Sequence, residues 1–201
     1  MAPATTPAEH DRAQQRRHQV LDAAARCFRL YGFHGCSMAQ LAKEADMSVG
    51  HIYHYFNNKE AIIEAIVLKD LDDWLASIAH LQHSEQVYED LLATLDRPVR
   101  DTLEPTYAAL QIEILAEAAR NAKVGAIVHD VHRRAREVVS EILLKGSPRP
   151  LTESEIAGKV ELLGALFDGL MVRTIRAGNV DRENLLAVMR PTIRFILDYR
   201  V

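Results

Sequence analysis

The segment Ser37–Glu60 constrains the fold most strongly, because its residue pattern predicts two short helices joined by a tight turn. Ser37, with Gln40 three residues later, is typical of a capped helix start. Asp46 tolerates a left-handed backbone and Ser48 can cap a following helix, so the residues between them supply the turn. This arrangement predicts a helix-turn-helix, a unit that places its second helix in the major groove of DNA.

The second predicted helix, residues 49–56, has two distinct faces. Ile52 and Phe56 are about one helical turn apart and are expected to point inward. The other face carries small, polar and aromatic residues, which suit contact with base edges and phosphates. These outward residues are Val49, Gly50, His51, Tyr53, His54 and Tyr55.

Position by position, this segment resembles the DNA-binding domain of the TetR family of bacterial transcriptional regulators. The matching residues are Ser37, Leu41, Ala42, Met47, Ser48, Gly50, Ile52, Tyr53, Tyr55, Phe56, Lys59 and Glu60. Residues 20–35 also resemble the family's first helix and the loop after it. Asp46 stands where the family usually has glycine. Because aspartate accepts a left-handed φ at modest cost, we expect a slightly altered turn without loss of the fold.

The resemblance implies roles for individual residues of the head, meaning the first three predicted helices. Positions that usually hold phosphates, and so set affinity and register, are Ser37, Tyr53, Tyr55 and Lys59. The groove-facing residues are Val49, Gly50, His51 and His54, with Ser48 capping their helix. Two alternatives stay open. Tyr53 could instead pack under the head, and Arg16 and Arg17 could either reach the DNA backbone or end in solvent.

The charge distribution is compatible with DNA binding although the formal net charge is −4. Residues 1–60 contain seven of the 24 Lys and Arg residues and six of the 28 Asp and Glu residues, a net charge of +1. The remaining 17 basic and 22 acidic residues give the rest of the chain a net charge of −5. Because phosphate attraction depends on local charge, the acidic remainder does not exclude a nucleic-acid partner.

Other sequence features indicate the compartment and the absence of a cofactor. No run of 18 or more apolar residues is present and the N-terminus lacks the apolar segment of a secretion signal, so we expect a cytoplasmic protein without membrane contact. Cys27 and Cys36 match no zinc-ligand spacing, and we expect each to be a buried or half-buried thiol in a reducing compartment. Three H-x-x-H pairs lack a third ligand, so no metal or other cofactor is predicted.

Helical periodicity continues along the whole chain, and no convincing strand pattern occurs. We therefore predict an all-α protein, with an N-terminal three-helix helix-turn-helix head and a C-terminal helical bundle for ligand binding and dimerisation. The predicted divisions are a flexible tail at 1–11, the DNA-binding domain at 12–57 and the effector-binding and dimerisation domain at 58–201. Thr152 with Glu155, and separately Asp181, predict capped helix starts, and Pro191 is expected to kink or divide the last helix.

Candidate ligand contacts lie on two predicted helices of the C-terminal part. They are Tyr107, Leu110, Glu113, Ile114 and Glu117 on one helix, and Phe167, Asp168 and Met171 on the other. A carboxylate that faces an apolar cavity could balance a cationic ligand. A solvated acidic edge is the more common role for a pair such as Glu113 and Glu117, and core packing is the ordinary role of the apolar candidates.

Helices 124–145 and 153–177 are the predicted dimer interface. In the resembled family, two C-terminal helices from each subunit form a four-helix bundle. Small residues that allow close helix approach are Ala157, Gly158, Gly164, Ala165 and Gly169. A dimer also suits the DNA-binding prediction, because one small head makes too few contacts for a specific site.

The sequence therefore predicts a homodimeric, TetR-like repressor that binds double-stranded operator DNA and is released by a small-molecule effector. The candidate effector class is a lipophilic cation, and the candidate target is an efflux or catabolic gene. The alternative is a ligand-independent or nucleoid-associated DNA-binding protein with the same head. An enzyme is not predicted, because the sequence shows no arrangement of nucleophile, base and oxyanion donors.

Overall fold

The computed structural model describes residues 7–200, with side chains described from Asp11 onward. Over these residues it contains ten α-helices and no strand, which confirms the all-α prediction. The helices are α1 Pro7–Gly35, α2 Met38–Glu44, α3 Val49–Tyr55, α4 Lys59–Ile78, α5 Val87–Ala93, α6 Asp96–Thr102, α7 Pro105–Ala118, α8 Ala122–Gly146, α9 Glu153–Ala177 and α10 Arg182–Asp198. A 3₁₀ segment, Ala79–His83, follows α4. Within the same residues, no helix is long and apolar enough to cross a membrane.

The chain packs as two compact units. Unit 1 consists of the chain up to Leu68 together with Glu113–Val128, and unit 2 consists of Lys69–Ile112 together with His129–Val201. The divisions drawn from the sequence, 12–57 and 58–201, leave Glu113–Val128 outside the head. Contacts between residues some 80 positions apart, such as Phe33 with Glu113, leave no periodic trace in a sequence.

Helix α1 begins at Pro7, inside the segment 1–11 for which the sequence predicted a flexible tail. Residues 1–6 of that segment lie outside the described residues. Proline suits the first turn of a helix, and the alanine, glutamine and arginine residues that follow favour its continuation. Near its other end α1 is interrupted at Gly32, whose φ of 71° is a conformation that glycine adopts without strain. Gly32 therefore begins the change of direction that leads to α2.

The helix-turn-helix forms as the sequence predicts, because a serine caps each of its two helices. The Ser37 hydroxyl accepts a hydrogen bond from the Gln40 N–H at 3.1 Å, and the Ser48 hydroxyl accepts one from the His51 N–H at 3.2 Å. Asp46, in the turn, has a φ of 51°, which confirms the expected left-handed backbone. The starting points of the two helices are thus set by local hydrogen bonds.

Unit 2 has its own hydrophobic core. Its members are Val87, Tyr88, Leu92, Leu95, Val99, Leu143, Val160, Leu186, Met189, Ile193 and Leu197. Thr152 and Glu155 form the predicted capping box at the start of α9, and Asp181 caps α10 by accepting from the Asn184 N–H at 3.1 Å. Pro191 does not divide α10, which is continuous from Arg182 to Asp198. Pro191 lies on the exposed side of the helix, where the carbonyl that it leaves unpartnered can reach water.

The two cysteines form a disulfide bond, so the prediction of two separate thiols is wrong. Their Cα atoms are 5.7 Å apart and both residues are fully buried. Residue spacing alone does not predict the pairing, because it depends on the turn at Gly32 that brings Cys36 back against α1. The bond cross-links Cys27 to the residue directly before the Ser37 cap.

Candidate nucleic-acid interface and ligand cavity

Helix α3 exposes the residues that were expected to meet DNA. Val49, Gly50, His51, Tyr53 and His54 are exposed, Tyr55 is half-buried, and the capping residues Ser37 and Ser48 are also exposed. Ile52, on the opposite face, is fully buried, as its spacing predicts. Tyr53 has 48% of its surface exposed, which argues against the alternative that it packs under the head.

Two side chains on this face of α3 pair with each other. The Tyr55 hydroxyl lies 3.3 Å from Nε2 of His51, one turn earlier, and the two ring centroids are 5.3 Å apart. The pairing limits the orientations that both rings can take. A histidine held in this way has its other ring nitrogen free to meet a base edge or a phosphate oxygen.

Helix α1 braces the helix-turn-helix. The Gln19 side-chain amide donates to the Ala45 carbonyl at 2.7 Å, which ties α1 to the end of α2. The Arg17 guanidinium lies over the Phe56 ring, 4.4 Å from its centroid. Arg17 therefore packs on the end of α3, which is neither of the two roles that the sequence left open for it.

The Lys59 ammonium has a structural role that differs from the phosphate contact implied by the family resemblance. Its Nζ donates to the Phe33 carbonyl at 2.5 Å and to the Cys36 carbonyl at 3.0 Å. It also lies 4.4 Å from the centroid of the Phe33 ring. These contacts direct the charge into unit 1, so Lys59 tethers residues 32–36. We call this segment the loop 32–36; it runs from the break at Gly32, through the last helical turn of α1, to the residue before the Ser37 cap.

Glu113 of α7 holds the same loop. Its Oε1 accepts a hydrogen bond from the backbone N–H of Phe33 at 2.7 Å, and a guanidinium nitrogen of Arg120 lies 3.7 Å from that oxygen. The absence of a side chain at Gly32 permits this approach, because a Cβ there would lie 3.2 Å from Glu113 Oε1. Glu113 therefore has a structural role within unit 1 in place of the predicted ligand contact.

Glu117, one turn later, is fully buried in a set of polar contacts. Its carboxylate accepts from Arg120 Nε at 2.7 Å and from the Asn121 amide at 3.0 Å, and it lies 3.1 Å from His34 Nε2. Burial alone would raise the pKa of Glu117, but the hydrogen bonds from Asn121 and Arg120, together with His34, hold it below its ordinary value. Glu117 is thus neither a solvated edge nor a ligand contact.

Unit 2 contains a cavity of about 790 Å³, a volume within the range of small-molecule sites. Three aromatic side chains line it, Trp74, Tyr107 and Phe167, together with aliphatic residues. Five aspartates also line it: Asp70, Asp73, Asp96, Asp101 and Asp168. Of the basic residues in the lining, Arg97 is paired with Asp101 at 3.7 Å and Arg136 is paired with Glu161, and His132 also lines the cavity. The lining is therefore acidic and aromatic.

Asp70 is the most distinctive polar group of the cavity. Burial raises the pKa of Asp70 to about 6, although Lys69 and a hydrogen bond from the Gln111 amide at 2.7 Å act in the opposite direction. Burial, reinforced by the charges of Asp70 and Asp101, also raises the pKa of Tyr107. Burial destabilises the charged form of such a carboxylate, and a cation placed beside it stabilises that charged form.

The candidate ligand residues named from the sequence fall into two groups. Tyr107, Phe167 and Asp168 line the cavity. Leu110, Glu113, Ile114, Glu117 and Met171 do not: the three apolar residues are buried, and the two glutamates have the contacts described above. Sequence reasoning missed Asp70, which lies beside the exposed Asp72 and Asp73. The available signal was its register, because Asp70, Trp74 and Ile78 share one face of α4.

Helices α9 and α10 carry exposed apolar side chains. They are Leu162, Val172 and Ile175 on α9, Val188 and Phe195 on α10, and Tyr199 directly after α10, and we refer to them as the apolar face. On α9, the small residues Gly158 and Gly169 have no atom within 4 Å of a Cβ placed on them, so another helix has room to approach. The exposed side of α8, by contrast, is mostly polar, with Asp130, Arg133 and Glu137 joined in ion pairs. This pattern favours α10 over the predicted α8 as the partner of α9.

Two family descriptions match this chain. One, for bacterial regulatory proteins of the tetR family, covers residues 20–66, which include the whole helix-turn-helix. The other, for the C-terminal part of BetI-type transcriptional repressors, covers residues 91–198, more than half of the chain. This protein belongs to the TetR family. Proteins of this family are helix-turn-helix transcriptional regulators and not enzymes.

Individual TetR-family relatives agree with this assignment. The regulator UidR of Escherichia coli (strain K12) is 32% identical over 129 residues, which cover 64% of this chain and only 65% of UidR. The regulator BetI of Burkholderia ambifaria (strain MC40-6) is 27% identical over 191 residues, 90% of this chain and 94% of BetI. Among solved structures, Salmonella enterica GusR is 26% identical with a TM-score of 0.71, over 89% of this chain and 95% of GusR.

Proposed function

We propose that this regulator is a homodimeric repressor that binds a two-fold symmetric operator and is released when a lipophilic cation enters the cavity of unit 2. The observation that carries the proposal is the exposed face of α3, since a small, polar and aromatic surface on a rigidly capped helix suits the major groove. Binding to chromosomal DNA would place the protein in the cytoplasm. A repressor that responds to such compounds would suit an efflux or catabolic gene.

The DNA contacts that we propose fall into two groups. Residues assigned to phosphates are Ser37, Ser48, Tyr53 and Tyr55, and residues assigned to base edges are Val49, Gly50, His51 and His54. The exposure of the α3 residues supports both groups. Lys59 is left out of the phosphate group because its ammonium is bonded to two backbone carbonyls.

Dimerisation is supported by the apolar face. Five large apolar side chains lie on α9 and α10, a sixth directly follows α10, and each is at least 38% exposed. Large exposed apolar patches mark protein contacts in soluble proteins. Packing this face against its copy in a second subunit gives the closed two-fold symmetry that a palindromic operator requires.

The chemistry of the cavity supports a cationic effector. Aromatic rings attract cations through their π-faces, and Trp74, Tyr107 and Phe167 all reach the cavity. Asp70 adds a carboxylate that accepts a hydrogen bond from the neutral amide of Gln111, and the effect of burial on it outweighs the opposing charge of Lys69. Effector binding lowers operator affinity by the free energy with which the effector prefers the conformation that cannot bind DNA.

The alternative is a DNA-binding protein that needs no effector. Two measurements separate the proposals. DNA selected from a random library by the protein should contain a palindrome, whereas a nucleoid-associated protein would select none. Tetraphenylphosphonium, a lipophilic cation, should then raise the melting temperature saturably, while the anionic comparator 4-nitrophenyl glucuronide should not. If only the glucuronide raised the melting temperature, the effector class would be an anionic glycoside and not a lipophilic cation.

A further inference from the structure

We propose that Glu113 is a positioning residue for DNA binding. Its hydrogen bond to the Phe33 N–H keeps the loop 32–36 in the operator-competent geometry, and effector binding lowers operator affinity by weakening that bond. The second half of this inference rests on the proposed effector response. The first half concerns unit 1 alone.

The loop 32–36 determines where the helix-turn-helix begins. It leaves α1 at Gly32 and ends at Cys36, the residue before the Ser37 cap of α2. Three side-chain tethers hold it: the disulfide to Cys27 from α1, the Lys59 ammonium from α4, and the Glu113 carboxylate from α7. A change at any of these tethers reaches α2 through only a few residues of backbone.

The Glu113 tether is reversible, unlike the disulfide, and comes from a more distant part of the chain than Lys59 does. It is a single hydrogen bond of 2.7 Å to a backbone N–H of Phe33, which is itself 3% exposed. When the carboxylate moves away, that N–H loses its partner in a buried place, so the bonded state is strongly preferred. Glu117, one turn later on α7, adds a contact to His34 of the same loop.

Helix α7 also carries residues of the ligand cavity. Tyr107, in its first turn, lines the cavity, and Gln111 donates to the cavity carboxylate Asp70 at 2.7 Å. Glu113 follows Gln111 by two residues in the same unbroken helix, about 3 Å along its axis. Because a helix moves nearly as a rigid rod over such a distance, a ligand that displaces Tyr107 or draws Asp70 away from Gln111 also changes the position of Glu113.

The test uses Glu113→Ala, which removes the acceptor, and Glu113→Gln, which keeps an acceptor oxygen at the same length. Glu64→Ala, an exposed glutamate of α4, is the matched control. Without effector, Glu113→Ala should bind the selected operator at least about fivefold more weakly than wild type, the lower end of ordinary coupling. Glu113→Gln should recover most of this loss, and Glu64→Ala should not differ from wild type. Equal operator affinity for wild type and a folded Glu113→Ala protein would overturn the positioning role.

A second readout separates coupling from simple destabilisation. If the effector prefers the state in which the bond is broken, Glu113→Ala should bind tetraphenylphosphonium more tightly than wild type in the absence of DNA, because the variant populates that state more often. If Glu113 affected only stability, the affinity for tetraphenylphosphonium would be unchanged or weaker. That result would contradict the proposed coupling between effector and operator binding.

A third measurement needs no variant and therefore does not depend on folding. Saturating tetraphenylphosphonium should accelerate hydrogen exchange of the Phe33 amide in the wild-type protein, and unchanged exchange while operator is released would refute the mechanism. If the cation fails to release wild-type protein from operator, the effector class proposed above is wrong. In that case the operator affinity of Glu113→Ala without effector still decides whether Glu113 positions the loop.

Discussion

The Lys59 ammonium donates to the Phe33 carbonyl at 2.5 Å while it lies over the ring of the same residue. Lys59→Met should therefore lower the stability of unit 1 by about 1–3 kcal/mol, since it leaves two carbonyls without a charged donor. DNA binding should weaken for all sequences, with the salt dependence unchanged. If the slope of log affinity against log salt concentration fell by about one while thermal stability stayed unchanged, Lys59 would be a phosphate contact after all.

His51 and Tyr55 should contribute differently to DNA recognition. His51→Ala should relax the preference at particular base pairs, by about 1–3 kcal/mol for a good base contact. Tyr55→Phe, which removes the hydroxyl near His51 Nε2, should have a smaller effect in the same direction because it only frees the imidazole. Equal losses at selected and scrambled DNA for His51→Ala would exclude it from the base-reading residues.

The head could be predicted closely because its information is local. Ser37 and Ser48 cap helices through bonds to residues three positions later, and Asp46 takes the left-handed backbone that its side chain tolerates. The roles of Lys59 and Glu113 could not be predicted in this way. Their partners are backbone groups of the loop 32–36, and a backbone N–H or carbonyl at a given position looks the same in every sequence.

The cavity was only partly predictable for a related reason. Tyr107 and Phe167 could be recognised as candidate cavity residues because they are aromatic residues on predicted helices. Asp70 could not, because it stands in a charged run that resembles a solvated face. The disulfide was missed because Cys27 and Cys36 meet only through the turn at Gly32. The roles of Asp70 and of the two cysteines depend on long-range packing and not on the local sequence pattern.

The disulfide should stabilise unit 1. Reduction, or the double substitution Cys27→Ala and Cys36→Ala, should lower the free energy of unfolding by roughly 2–3 kcal/mol, because the closed loop is short. Calorimetry of oxidised and reduced protein measures the effect, and mass spectrometry under denaturing conditions checks that the two thiol protons are absent. Identical melting temperatures for the two verified redox states would show that the bond adds no stability.

The apolar face on α9 and α10 should form the dimer interface. Phe195→Arg places a charge on that face and should give monomers in sedimentation, since an unpaired buried charge costs several kcal/mol, about 3–5 for a broken pair. Leu144→Arg is the matched control, because Leu144 is an equally apolar side chain, 52% exposed, on α8. Monomers for Leu144→Arg and dimers for Phe195→Arg would move the interface to α8.

Asp70 should make the stability of the protein depend on pH. Its pKa of about 6 lies above the ordinary value of 3.8, so the folded state favours the protonated form and stability is lost as pH rises from about 4 to about 6. Asp70→Asn should therefore raise stability at pH 7.5, by at most about 3 kcal/mol, and have little effect at pH 4. A variant equally stabilised at both pH values would assign the effect to another cause.

The most direct test of the central claim is release of a fluorescent operator from wild-type and Asp70→Asn protein by tetraphenylphosphonium, followed by anisotropy at pH 7.5 and pH 5. Wild-type protein should release DNA at pH 7.5 and need more cation at pH 5, because Asp70 is ionised above about pH 6 and neutral below it. Asp70→Asn should need at least about tenfold more cation at pH 7.5, as expected for a lost charge-assisted contact of about 1.5–3 kcal/mol, and should show a smaller pH dependence than wild type. Release of both proteins at the same concentration, or of neither, would contradict the account of a cation-responsive repressor.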